Sequence, residues 1–292
     1  MRVAAVIGFL LLAAACAQRK APEPLAVQTV RRAETQLGYE PTRNFHREGG
    51  RHAYFLCYAT GPLELPADYG GLRSKLSREP GCRFDSAKLD VFVYPAEAMA
   101  GREAPVTDAL ASAQPARRDF VVAHEDFHEQ QGVRQLEPAL KEAVSMLAGL
   151  LTAAEAASLR DDREERDRTI AEADLFLQKA QRINAAHREL RALYDAYARG
   201  EVSQSEALAR KQEAFARLQA ECDQQGAPRP RAFHPCPAVM NNAGLAFDAT
   251  YTREYPRVHA LFEANGRDPK RTIEALRRLA ETPGAAERFD AQ

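Results

Sequence analysis

From Thr107 to its C-terminus, this 292-residue chain repeats apolar residues at helical spacing in nearly every segment, a pattern that dictates a mainly helical fold. Pro115 stands where the first position of a helix accepts proline, and Gly132 where a helix stops, which predicts a helix over 115–131. Pro138 opens a second, strongly apolar helix through Leu151. Residues 153–199 carry a long Ala/Glu/Arg-rich pattern ended by Gly200, and its segment RDDREERDR (160–168) reads as a solvated charge run. Ser203 with Glu206 makes a capping box for a helix to about Gln225. A Pro-rich connector follows at 226–237, and Asp268-Pro269 caps a last helix before an Ala-rich tail after Pro283.

The region before Thr107 differs. A short helix is expected over Val27–Leu37, ended by Gly38. Ala53–Ala59 reads as a buried strand, and Leu89–Tyr94 as an alternating strand that stops at Pro95 and can pair with an extended peptide. Residues 60–82, rich in Gly and Pro, read as a loop. The expected fold class is α+β, mainly α with a small N-terminal β-sheet and long C-terminal helices. It forms one domain over residues 27–292, with an α+β part (27–105) and a helical part (106–292).

Lys+Arg 40 against Asp+Glu 41 gives a formal charge of -1, which removes the electrostatic case for nucleic acid, since that needs a basic stripe. The first residues set the address. MRVAAVIGFLLLAAAC has a positive start at Arg2, a short apolar run and small residues before Cys16. It is the pattern of a signal peptide (1–15) followed by a lipidated cysteine, although Ala13 stands where the usual leucine would be. The polar, Pro-containing stretch 16–26 then tethers the domain to a membrane through its lipid anchor. Ala17 lacks the aspartate associated with inner-membrane retention, which points to the outer membrane of a bacterial envelope, facing the periplasm. Export makes the four remaining cysteines an even set in an oxidising compartment, with Cys57–Cys82 and Cys222–Cys236 the simplest disulfides.

The chemistry sits in FVVAHEDFHEQ, residues 120–130. His124 and His128 are four apart, so on a helix both imidazoles share a face and can reach one metal ion. Glu125 is rotated by about 100° from His124, beside that ion, where a general base for an attacking water belongs. Asp126 stands where such motifs usually carry an apolar residue; it is either exposed or set to orient a ligand histidine. A catalytic zinc, one per chain, needs a third protein donor. Glu142, fourteen positions on and in the next helix, is the best candidate. Glu129, which points away on the first helix, and Glu137, a possible helix cap, are its rivals.

HEDFHEQ, then KEAVSMLAG, AHRELRALYDAYARG and MNNAGLAFDATYTREYPRVHALFEANGRDPKRTIEALRRLA, together spanning about residues 85–282, resemble a bacterial family of zinc aminopeptidases: exported H-E-x-x-H metallopeptidases, gluzincin-like and often lipoproteins. The resemblance implies a zincin-like core, metal ligands at His124, His128 and Glu142, and a catalytic Glu125 acting on a peptide substrate. It departs from the family at Asp126-Phe127, at Lys141, where an Asn usually precedes the third ligand, and in a shorter N-terminal region. These changes spare the ligands and bear on substrate choice. Asn241 and Asn242 are candidates to hold a substrate backbone or amino terminus, and the Tyr251 hydroxyl to donate to an oxyanion. Two other readings compete with a peptidase: a lipid-anchored helical scaffold with a structural or vestigial metal site, and a zinc amidase acting on cell-wall material. Residue preference and oligomeric state have no signature in the sequence.

Overall fold

A computed structural model describes residues 24–49, 53–77, 80–99, 103–224 and 240–282. Helix α1 (Gln28–Leu37) is followed by three strands, β1 (Tyr54–Thr60), β2 (Arg73–Ser77) and β3 (Asp90–Ala96). The one-turn α2 (Asp108–Ala111) leads into α3 (Pro115–His128), α4 (Pro138–Ser158), α5 (Arg163–Ala198) and α6 (Gln204–Asp223). Three shorter helices close the described chain: α7 (Asn242–Thr252), α8 (Tyr255–Ala264) and α9 (Pro269–Glu281). The chain is thus mainly helical with one small antiparallel sheet, ordered β2-β1-β3.

Helix α4 organises the core. All but a few of its residues are buried, from Ala139 to Ala157, as expected of a helix that is apolar all round. It packs against α1, α3, α5, α7, α8 and α9. One apolar cluster joins α1, α3, α4, α8 and α9; a second joins the sheet to the C-terminal half of α5, to α6 and to α7. Asp268 caps α9 by accepting from Arg271 N at 2.8 Å, and Ser203 caps α6 from Glu206 N at 3.3 Å, both as their sequences require. The charge run 160–168 is largely solvent-exposed.

Several boundaries differ from expectation, each for a local reason. Helix α3 ends at His128, because Glu129 and Gln130 turn back on Asp126 and Phe127 carbonyls before Gly132 takes the left-handed conformation (φ 80°). Helix α4 runs past Leu151 to Ser158, and the long 153–199 pattern breaks at Asp161 (φ 59°), where α5 begins anew. The expected loop 60–82 contains β2, whose side chains are mostly exposed and therefore carry no apolar alternation. Strand β3 continues through Pro95, which an edge strand tolerates because its missing N–H faces away from β1. Cys57 on β1 is disulfide-bonded to Cys82 with Cα atoms 5.6 Å apart, which ties the β2–β3 connection to the central strand. Cys222 is disulfide-bonded too, while Cys236 and the lipidation candidate Cys16 lie outside the described residues. No helix among the described residues is long and apolar enough to cross a membrane.

Helices α3 and α4 approach closely at Gly149. A Cβ there would lie 3.0 Å from the Phe120 ring and 3.1 Å from the Phe120 carbonyl oxygen. Phe120 is one turn before His124, and Gly149 two turns after Glu142, so this contact sets the spacing of the two helices. Gly149→Val is expected to cost about 1–3 kcal/mol by overpacking and to weaken metal binding as the helices part. Thermal unfolding and zinc titration of the variant check both.

Candidate metal centre

Helix α3 presents His124 and His128 on one face, and α4 presents Glu142 opposite them. All three are buried, at 7%, 8% and 6% exposure. His124 Nε2 and His128 Nε2 stand 3.1 Å apart, and each lies 3.2 Å from Glu142 Oε2. Two donors bound to a tetrahedral zinc at its usual bond lengths stand about 3.3 Å apart, so this near-equilateral triangle has the dimensions of a metal site. Its chemistry fits as well: two imidazoles and a carboxylate suit zinc. Glu142 Oε2 is buried and meets, among the described residues, the two ring nitrogens at 3.2 Å, a convergence of three donor atoms on one point that an ion would satisfy. Burial works against ionising Glu142, but His128 and His124 outweigh it and hold the carboxyl far below the usual carboxylate range. The same contact raises His128, against the effect of its own burial.

Outer contacts fix these donors. Tyr69 donates its hydroxyl to Glu142 Oε1 at 3.0 Å. Burial, and then the Glu142 charge, push the Tyr69 phenol far up, so it stays a neutral donor. The Ser145 hydroxyl lies 3.3 Å from His128 Nδ1. Neither was picked out from the sequence. Tyr69 sits in a Gly-rich turn with no signal of its own. Ser145 was legible in principle, since it lies one turn from Glu142 in an otherwise apolar helix.

Asp126 neither faces solvent nor touches a ligand histidine. It is fully buried on the far side of α3. There it accepts from Asn44 Nδ2 at 3.0 Å, from the Thr42 hydroxyl and from Arg31, which also bonds Glu34 at 2.8 Å. This network fastens the histidine-bearing helix to α1 and to the chain after it. Burial is the largest influence on Asp126 and raises its pKa, against the opposing pull of Arg31, Thr42 and Asn44.

The triad opens into a cavity of about 950 Å³ between the sheet and helices α3, α4 and α7, at the upper end of the range for small-molecule sites. Glu125 lines it next to the histidines. Tyr251 lines it too, its ring stacked on His124 at 6.3 Å between centroids. Burial, and then Glu142, raise the Tyr251 phenol well above its ordinary value. Tyr58, Phe92, Tyr94 and Phe247 build the apolar side of the wall.

Asn241 and Asn242, the candidates for holding a substrate, lie outside the residues that line this cavity. Asn241 is the N-cap of α7, accepting from Gly244 N at 3.0 Å and donating to Val91 O at 2.9 Å. Asn242 is fully buried: its amide donates to Pro62 O and Glu64 O, and its carbonyl accepts from the Tyr194 hydroxyl. All of these groups are spent on joining α7 to the 62–64 turn, β3 and α5. Of the rival third ligands, Glu129 lines the cavity but pairs with Arg134 at 2.6 Å, and Glu137 precedes α4 without a side-chain capping bond.

A second group of donors, Asp174, His259 and Glu263, also lies close together, but Arg267 already supplies its cation, bonding Asp174 at 2.8 and 3.0 Å and reaching Glu263.

A buried His-His-Glu triad with a further glutamate beside it, lining one cavity, defines a candidate metal centre of the hydrolytic kind. A family model described as "Putative aminopeptidase" matches residues 87–291, from just before β3 to beyond α9, and the chain belongs to that family. Among curated proteins and solved structures, no match to this chain was found.

Proposed function

We propose that the chain is a zinc-dependent peptidase, exported and held to a bacterial envelope membrane by a lipid on Cys16, with its domain facing the periplasm. The observation that carries the enzymatic reading is the triangle of His124, His128 and Glu142 opening, with Glu125, onto a cavity of about 950 Å³. A structural zinc site normally fills all four positions with protein donors, whereas this one gathers three and faces open space. Zinc bound there supplies a Lewis acid that polarises a peptide carbonyl and acidifies water. Glu125 takes the proton of the attacking water and passes it to the departing amine. Tyr251, kept neutral, donates its hydroxyl to the oxygen on which negative charge develops. The aromatic wall receives the apolar parts of a peptide.

The test is metal removal and return. The soluble form, residues 17–292, is expected to bind one zinc, to hydrolyse short peptides, to lose that activity on chelation and to regain it with zinc. Absence of zinc from well-folded protein after reconstitution would favour a scaffold. Zinc binding with hydrolysis of cell-wall amides but of no peptide would favour the amidase.

A further inference from the structure

Resting on the peptidase reading, the charges of the cavity wall bear on which peptides it takes. A free amino terminus would need a carboxylate to receive it. Apart from Glu125 and Glu142, each carboxylate among the described wall residues is already held by a cation: Glu97 by Arg117 at 2.8 Å, Asp248 by Lys179 at 2.9 Å and Glu129 by Arg134 at 2.6 Å. Lys141 is in the opposite condition. It lines the same cavity, half-buried on α4 immediately before Glu142, and makes no hydrogen bond or ion pair among the described residues. Holding an ammonium half out of water without a partner costs stability, and a carboxylate entering the cavity would supply the missing charge-assisted bond.

We propose that Lys141 is a specificity-determining residue that receives a carboxylate of the substrate, so that the site favours anionic peptides over those offering only a free amino terminus. The carboxylate comes either from the peptide's own C-terminus or from an acidic side chain.

Because the chain contains no tryptophan, binding of a tryptophan-bearing peptide is read by fluorescence without background from the protein. Three probes are titrated into zinc-loaded Glu125→Gln protein, in which turnover is slowed: alanyl-tryptophyl-alanine amide, the same peptide with a free C-terminus, and alanyl-tryptophyl-glutamate amide. At least one carboxylate-bearing probe is expected to bind about tenfold more tightly than the alanine amide, and which one gains identifies the source. Lys141→Met added to that protein is expected to erase the difference, and Lys141→Arg to keep it, with zinc content unchanged in both. Equal or tighter binding of the alanine amide, a preference that survives Lys141→Met, or no binding of any probe would overturn the proposal. Hydrolysis by the unmutated chain is scored separately. Turnover without a Lys141 effect removes only this subsite, and a Lys141 effect without turnover removes only the peptidase reading.

Discussion

Glu125→Gln is expected to keep one zinc per chain and to lower peptide hydrolysis by roughly 10²–10⁴-fold, the contribution of a positioned general base. Glutamine preserves the size and polarity of the side chain but cannot accept a proton. Glu125 lies in the last turn of α3, on the cavity side and off the two-histidine face, so the substitution leaves all three donors in place. The pair of measurements is zinc content and kcat/KM on one peptide. Loss of both together would make Glu125 part of the metal site, and near-normal turnover would remove it from the chemistry.

Glu142→Ala is expected to weaken zinc binding by more than a hundredfold and to abolish hydrolysis, with His128→Ala behaving alike. Either change leaves two protein donors, and the alanine at 142 also leaves the two buried ring nitrogens facing each other without the carboxylate between them. Tyr69→Phe removes only the hydroxyl that holds Glu142 Oε1, and an outer contact of this kind is worth about tenfold or somewhat more in metal affinity. Competition against a zinc-binding dye ranks the three variants. Undiminished affinity in Glu142→Ala would mean that a different residue completes the site.

How much of this could be read beforehand depended on the range of the interaction. The four-residue spacing of His124 and His128, the prolines opening α3 and α4 and the caps at Ser203 and Asp268 are local, because helical geometry and unpaired end groups act within a few residues. Glu142 was reachable because a short connection between consecutive helices folds them back on each other. Strand β2 was hidden because its exposed residues follow no apolar pattern. The ends of α3 and α4 shifted because turns at Gly132 and Asp161 depend on which carbonyl each N–H finds. Asn241 and Asn242 show the same limit: adjacent amides look alike in sequence, and only the fold shows that these make a helix cap and a buried junction.

By itself, then, the sequence determined the helical class, the pairing of His124 with His128 and the placing of Glu125 beside them, since each follows from periodicity along one helix. Only the tertiary structure decided what surrounds them. Tyr69 reaches Glu142 from 73 residues away in the chain, and Asp126 anchors α3 through Asn44, 82 residues away. Among the described residues, Lys141 keeps an unpartnered charge in a wall whose other cations are engaged, because spatial neighbours rather than chain neighbours pair those groups. Contacts of that length form only when the core around α4 closes, and no spacing along the chain encodes them.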